Sequence, residues 1–257
     1  MLSVPTNKIQ RGFSTSAISY DANSGLHRQI ADKLLSQAVN IPVARAVLDV
    51  GCGTGYLTRR LKEIFPQSKV VGLDFSQRML DLAKLKNNDI TWVLGDGHQL
   101  PFVDASFDLL ISNLAYQWSP DLSMAFGEAR RVIPPGGVMV CTLFGYNTCQ
   151  ELFRSLNEAK GGSLLFSRLP DALKVKEALT LAGFKDPLVK CEQIKIEFKD
   201  MPELTAWLKS IGANNLPREG YIGRDLLDRA AAIYRERFAY LNGVQATFEV
   251  IRIYVQK

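Results

Sequence analysis

Between an apolar run, Ala46-Val47-Leu48-Asp49-Val50, and an amphipathic one, Tyr56 to Phe65, the chain carries Gly51-Cys52-Gly53-Thr54-Gly55. A short apolar segment, a glycine turn and residues repeating at helical spacing read as a strand, a tight turn and a helix. The glycines let the backbone bend sharply and leave no Cβ between it and a ligand. This confines the chain to α/β folds, in which ligands meet the carboxyl ends of the strands. A G-x-G-x-x-G dinucleotide fingerprint needs its third glycine where Tyr56 stands, which counts against a nicotinamide or flavin enzyme. Taken alone, the cluster also suits a simple tight turn.

The same alternation continues downstream. Lys69 to Leu73 reads as a second strand ending at Asp74, and Ser76 then caps a helix holding Met79, Leu80, Leu82 and Ala83. Further strands are expected at Ile90 to Leu94, Phe107 to Ser112, Val138 to Leu143, Glu192 to Phe198 and Thr247 to Tyr254. Strands separated by helices imply right-handed parallel βαβ units, so the expectation is a doubly wound, mostly parallel seven-stranded sheet of Rossmann-like type. Helical segments are expected outside it, at Leu26 to Val39, at about Cys149 to Leu169, and from Pro202 to Leu241 around the breaker-rich Ile211-Gly212-Ala213-Asn214-Asn215-Leu216-Pro217.

Polar groups collect where the strands end. Asp74, about 20 residues beyond the glycines, is placed to accept hydrogen bonds from two ribose hydroxyls, or else serves as a helix cap. In Gly95-Asp96-Gly97-His98, the Asp96 carboxylate suits an amino donor, although a surface turn uses the same residues. Ser112-Asn113-Leu114-Ala115-Tyr116-Gln117-Trp118 brings further polar and aromatic groups to that edge, with Trp118 also readable as a core anchor.

In order and spacing, these elements resemble the class I S-adenosylmethionine-dependent methyltransferases from about Arg45 to Phe144. The resemblance implies that Gly51, Gly53 and Gly55 shape the methionine end of a cofactor pocket, with Asp49 and Cys52 also at the cofactor, and that Asp74 holds the ribose. It further implies that Asp96, Gly97 and His98 face the adenine, that Phe75 and Met79 form apolar walls, and that Asn113, Leu114 and Trp118 complete the rim. The tight turn Pro134-Pro135-Gly136-Gly137 fits the same family.

A second resemblance lies outside the sheet. Ile9-Gln10-Arg11-Gly12-Phe13-Ser14, Tyr20-Asp21 and Leu26-His27-Arg28-Gln29-Ile30-Ala31 are similar to the N-terminal region of the malonyl-acyl-carrier-protein O-methyltransferases of biotin synthesis. Leu208-Lys209-Ser210-Ile211-Gly212-Ala213-Asn214-Asn215 and Ala246 to Ile251 resemble that family's late segment and final strand. Such an enzyme esterifies the free carboxylate of a malonyl group held on acyl-carrier protein. The resemblance implies one methyltransferase domain over residues 1–257, with N-terminal lid helices (1–44), a cofactor-binding core (45–144) and substrate-side helical insertions (145–170 and 200–242). Tyr20 and Arg154 are the expected groups at the reacting carboxylate, and His27 with Arg28 the expected closure over the cofactor. Competing expectations are a small-molecule or quinone-precursor C-methyltransferase, which needs a base to activate carbon, and a non-catalytic cofactor-binding assembly factor.

Composition narrows the partners. A net charge of +5 suits an acidic carrier, and Arg59, Arg60, Arg130, Arg131, Arg218 and Arg224 are candidate contacts. No dense basic run or aromatic-basic module points to nucleic acid, and no apolar stretch approaches the roughly 20 residues of a membrane span. Cys52, Cys141, Cys149 and Cys191 form no C-x-x-C pair, so no metal site is expected. The chain is expected to be a cytoplasmic monomer.

Overall fold

The computed structural model describes residues 6–38, 41, 44–87, 89–162, 167, 169–213 and 223–257, with the side chains of 6–9 and 38 outside the description. Asn214 to Arg218, from the late motif and the candidate carrier contacts, therefore lie outside the described residues, as do Val39 and part of the first insertion.

Strand β1 (Ala46–Val50) pairs in parallel with β2 (Lys69–Asp74) and β4 (Leu109–Asn113). Outside these lie β3 (Thr91–Leu94) and β5 (Val138–Phe144), also parallel to their neighbours. Strand β8 (Gly243–Gln256) then inserts antiparallel between β5 and β6 (Leu188–Phe198), giving the order β3-β2-β1-β4-β5-β8-β6. The seven expected strands are thus present. The two-residue strand β7 (Ala239–Tyr240), which turns into β8, is an addition.

All seven residues of β5 are buried, as a parallel strand covered on both faces requires. One cover is α5 (Leu122–Val132) with α7 (Ala172–Leu181), packing Phe126, Ala129 and Leu179 onto Leu110 and Met139. The other is α2 (Gly25–Ala38) with α3 (Tyr56–Ile64), packing Leu34 and Leu61 onto Val47, Leu109 and Val140. A third cluster, rich in aromatic residues, joins Phe144 and Phe248 of the sheet to α6 (Gln150–Lys160), α8 (Met201–Ser210) and α9 (Arg224–Arg237) through Leu152, Leu204 and Tyr234. Local chemistry sets the helix starts. The Asp121, Asp171 and Asp200 side chains accept from the first-turn N–H groups of α5, α7 and α8, and Ser76 does so for α4 (Gln77–Lys86).

Ahead of the N-terminal helix expected at Leu26 stands another, α1 (Thr6–Asn23), 18 residues long. Its serines, threonines and Gly12 are weak helix formers, so tertiary contacts with the cleft and with α8 hold it. Helix α7 is a further addition, and β6 begins at Leu188 rather than Glu192.

Candidate functional site

The turn after β1 is held against β2. The N–H groups of Gly51 and Cys52 donate to the Leu73 carbonyl (2.8 and 3.0 Å), and Gly53 N–H donates to Asp74 Oδ2 at 2.8 Å. Gly51 and Gly55 are fixed by both conformation and space. Their φ angles are 75° and 81°, and an added Cβ would sit 2.2 Å from Ala115 Cβ at Gly51 and 2.4 Å from Trp92 Cη2 at Gly55. At Gly53 (φ 54°) a Cβ would meet nothing within 4 Å, so that position faces open space.

Asp74 is 6% exposed, and Ser76 N–H donates to its other oxygen at 2.8 Å. Burial pushes this carboxyl up to about 6, against the pull of the N–H donors at Ser76, Gly53 and Phe75. Asp49 lies deeper, 1% exposed, with Thr58 Oγ1 donating to Oδ2 at 2.6 Å and Oδ1 lacking a partner. Burial raises it to about 7, with Asp74 adding repulsion and the Thr58 bond opposing.

The end of β4 forms the next wall. Asn113 Nδ2 donates to the His27 carbonyl (3.0 Å) while its Oδ1 accepts from Thr142 Oγ1 (2.8 Å). Leu114 adopts φ 53°, a left-handed conformation that costs a non-glycine residue free energy and is held here by its N–H bond to the Thr142 carbonyl. Across the cleft, His98 bonds both Asp96 and Ser119.

Helix α1 roofs this cleft. Gln10 Nε2 donates to the Phe75 carbonyl (2.6 Å), Ser14 and Ser76 hydroxyls lie 3.0 Å apart, and Phe13 meets Phe75 and Trp118 edge-on at 6.2 and 5.6 Å. Asp21 accepts from Thr54 Oγ1 and pairs with Lys86; burial would raise its carboxyl, but these two donors hold it below the usual range. Behind the roof, Trp207 Nε1 donates to the Asn23 carbonyl (3.0 Å), and Gly212 approaches Phe13 and Ser16 so closely that a Cβ would stand 3.0 Å from the serine hydroxyl. The late segment at the end of α8 therefore backs the N-terminal one.

The space between these walls, with the open solvent at its mouth included, is about 860 Å³. Gly51, Gly53, Asp74, Phe75, Met79, Asp96, Gly97, His98, Asn113, Leu114 and Trp118 all line it, and so does Tyr20. The Tyr20 hydroxyl is raised above its ordinary range by burial and by the nearby carboxylates of Asp74 and Asp21.

Six expected residues do not reach the lining, Gly55 among them, which packs against Trp92. Asp49 is buried and accepts from Thr58 of α3, and Cys52 is buried against Gly72. His27 packs edge-on against Tyr20 and Phe144, both at 5.8 Å, with a buried, unpartnered Nδ1; burial, and then Arg28, lower its pKa to about 4, so the ring is neutral. Arg28 turns to the Asp21 carbonyl and Ser24 hydroxyl. The covering expected of these two residues is made by α1 instead. Arg154 is exposed on α6. Phe13 and Ser119 also line the cleft, although the sequence did not single them out; Phe13 lies one heptad before Tyr20 on α1.

Several candidate carrier contacts are engaged internally. Arg59 donates to the Thr54 carbonyl, and Arg60 pairs with Glu63 at 3.4 Å. Arg131 is the clearest correction, because its guanidinium bonds Glu128, Asp104 and the carbonyls of Leu100 and Phe102, all at 2.8–2.9 Å. Arg130 is half-buried with an unpartnered Nε, whereas Arg224 is exposed. Among the described residues no group of three or more His, Cys, Asp or Glu side chains is placed to hold a metal, and no helix is long and apolar enough to cross a membrane.

Comparison with known proteins agrees with this geometry. A family model described as a methyltransferase domain matches residues 48–141. The malonyl-acyl-carrier-protein O-methyltransferase of Xylella fastidiosa (strain M23) is 33% identical over 254 residues, covering 96% of this chain and 86% of the relative. The enzyme of the same name from Geobacter sulfurreducens is 31% identical, covering 96% and 97%. Among solved structures, the YcgJ protein of Bacillus subtilis superposes with a TM-score of 0.63 at 18% identity, covering 88% and 97%. Phosphoethanolamine N-methyltransferase 2 of Haemonchus contortus, in complex with S-adenosyl-L-methionine, gives 0.60 at 20% identity, covering 95% of this chain and 57% of that one. These last two likenesses concern the fold.

Proposed function

Since this chain belongs to the malonyl-acyl-carrier-protein O-methyltransferase family and is an S-adenosylmethionine-dependent methyltransferase, we propose that its acceptor is the free carboxylate of a malonyl thioester on acyl-carrier protein. The observation that carries this reading is the extent of the match, which covers 96% of the chain and so takes in the roof helix α1 and the end of α8 as well as the sheet. In this reading residues 1–257 act as one domain and one monomer in the cytoplasm, without nucleic acid or membrane.

The cleft fits the cofactor residue by residue. Asp74 is the acceptor for the ribose hydroxyls, the open side of Gly53 admits the methionine end, Asp96 receives the adenine amino group, and Phe75 and Met79 flank the base. When bound, S-adenosylmethionine supplies an electrophilic methyl group on a sulfonium.

The chain's own task is then modest in proton chemistry and demanding in alignment. A free carboxylic acid titrates near pH ~4, so the acceptor is ionised at pH 7 and needs no general base. Nucleophile and sulfonium neutralise each other as they react, so excluding water favours the reaction. Phe13, Trp118 and α1 serve that end. Alignment of two reactants contributes at most roughly 7–11 kcal/mol in the best intramolecular reactions. Tyr20, Asn113 and Leu114 form the acceptor side of the lining, where the Tyr20 hydroxyl is an uncharged donor that orients a carboxylate without quenching it.

Turnover with malonyl carrier protein and with quinone precursors, read by release of S-adenosylhomocysteine and by mass detection of the methylated product, tests the assignment. Methyl ester from the carrier substrate alone is the expected result, and methylation of the quinone precursor alone would overturn it. Tyr20→Phe and Arg154→Ala are compared in the same assay. Unchanged kcat/KM removes the residue concerned from the acceptor site, and its exposed position makes Arg154 the one expected to drop out.

A further inference from the structure

Three side chains at the base end of the cleft form a continuous relay. Asp96 Oδ1 accepts twice from one residue, from His98 N–H at 2.9 Å and from His98 Nδ1 at 2.7 Å, and Ser119 Oγ stands 2.6 Å from His98 Nε2. A carboxylate oxygen only accepts, so the network assigns the ring proton to Nδ1. In the neutral ring Nε2 then accepts from the Ser119 hydroxyl. All three residues line the cleft, and Asp96 Oδ2 takes no partner among the described residues. The His98 donors hold the Asp96 carboxyl below its usual range although partial burial works against them.

Ser, His and Asp in this order are also the parts of a hydrolytic triad. The surroundings do not complete one. Ser119 N–H is taken by the Tyr116 carbonyl, Pro120 has no N–H, and Asp121 N–H points back at Ser119 Oγ at 3.2 Å, so no N–H pair is free there for an oxyanion. The relay therefore orients rather than attacks.

We propose that Ser119 is a positioning residue for base recognition: acting through His98, it locks Asp96 with Oδ1 occupied and Oδ2 presented to the cleft, so that the site selects a purine carrying an exocyclic amino donor. The proposal rests on the reading of Asp96 as the base contact. A base with a 6-oxo group sets acceptor against acceptor at Oδ2 and leaves both unpaired, whereas an amino group makes a charge-assisted bond. Without the serine, the imidazole loses its outer tether and the half-exposed carboxylate is free to swing out of register.

The test is calorimetric titration with S-adenosylhomocysteine and with its 6-oxo analogue, S-inosylhomocysteine. The wild-type protein is expected to prefer the adenine ligand by roughly 10- to 100-fold, the scale of one hydrogen bond to a charged group. Ser119→Ala should narrow that ratio by about fivefold or more, chiefly through weaker binding of the adenine ligand, and Ser119→Thr should restore it. Asp96→Asn should move the preference toward the 6-oxo ligand, because the His98 donors hold the amide oxygen and turn the NH₂ group to the cleft. An unchanged ratio in Ser119→Ala, or an equal loss for both ligands, overturns the proposal. A wild-type ratio in Asp96→Ala overturns the reading of Asp96 itself, and the two failures are thereby told apart.

Discussion

Replacing Asp49 with Asn removes a carboxyl group that the fold keeps from water while leaving its outline almost unchanged. Burial raises this group from 3.8 to about 7 in the folded chain. The unfolded chain therefore gives up the proton first as pH rises. Stability is fully present below about pH 4 and is lost progressively as pH climbs through about 7. The shift spans about three units, each equivalent to about 1.4 kcal/mol, so the whole window is of order 4 kcal/mol, of which roughly 2–3 kcal/mol falls between pH 5 and pH 8. Asp74, raised to about 6, contributes in the same direction over a lower range. Urea unfolding of the ligand-free protein at pH 5 and pH 8 should show the wild type losing stability toward pH 8, and Asp49→Asn losing markedly less. The slope is the diagnostic quantity, because an unpaired Asn amide at the Oδ1 position costs about 1–3 kcal/mol at every pH. Equal pH slopes for the two proteins would refute the placement of a protonatable, water-excluded carboxyl at Asp49.

Two other substitutions probe the loop and its roof. Gly51→Ala places a Cβ 2.2 Å from Ala115 Cβ in a left-handed conformation; displacing the turn by about 1 Å should weaken S-adenosylhomocysteine binding roughly 100-fold in calorimetry, and a near wild-type affinity would contradict the packing. Asp21→Asn loses the pair with Lys86 but not the fold, since half-exposed pairs are worth about 1 kcal/mol or less. Stopped-flow release of the same ligand should accelerate about threefold to fivefold with Tm nearly unchanged, and an unaltered release rate would show that α1 does not retain the ligand.

The parts of the site that follow one strand at a time were legible in the sequence. Asp74 stands at a fixed distance beyond the glycines, and the alternation of apolar runs and helical spacing placed the strands within a few residues. What escaped depends on contacts distant along the chain. Helix α1, implied within 1–44 by the family resemblance but not by its own residues, is poor in helix formers and is held by Phe75, Ser76, Thr54 and α8, none of which its own periodicity announces. Arg131 was a candidate carrier contact, but its partners at Leu100, Phe102 and Asp104 arrive only when the chain folds back some 30 residues. Ser119 was not singled out, because its partner His98 comes beside it only across 21 positions. Arg154, nominated from its place in the insertion after the fifth strand, stands exposed on α6 and outside the lining, which no local pattern could have told.

The insertion of β8 between β5 and β6 has a consequence during synthesis. Strand β6 leaves the ribosome 45 residues before the strand that bonds it begins, and β5 waits longer still with one edge open. At about 5–20 residues per second, β6 spends roughly 2–9 s without a partner. Its charged outward positions, Lys190, Lys195 and Glu197, then guard a bare edge against pairing with other nascent chains. Variants that neutralise those charges should leave the finished protein unharmed while lowering the yield of soluble chains.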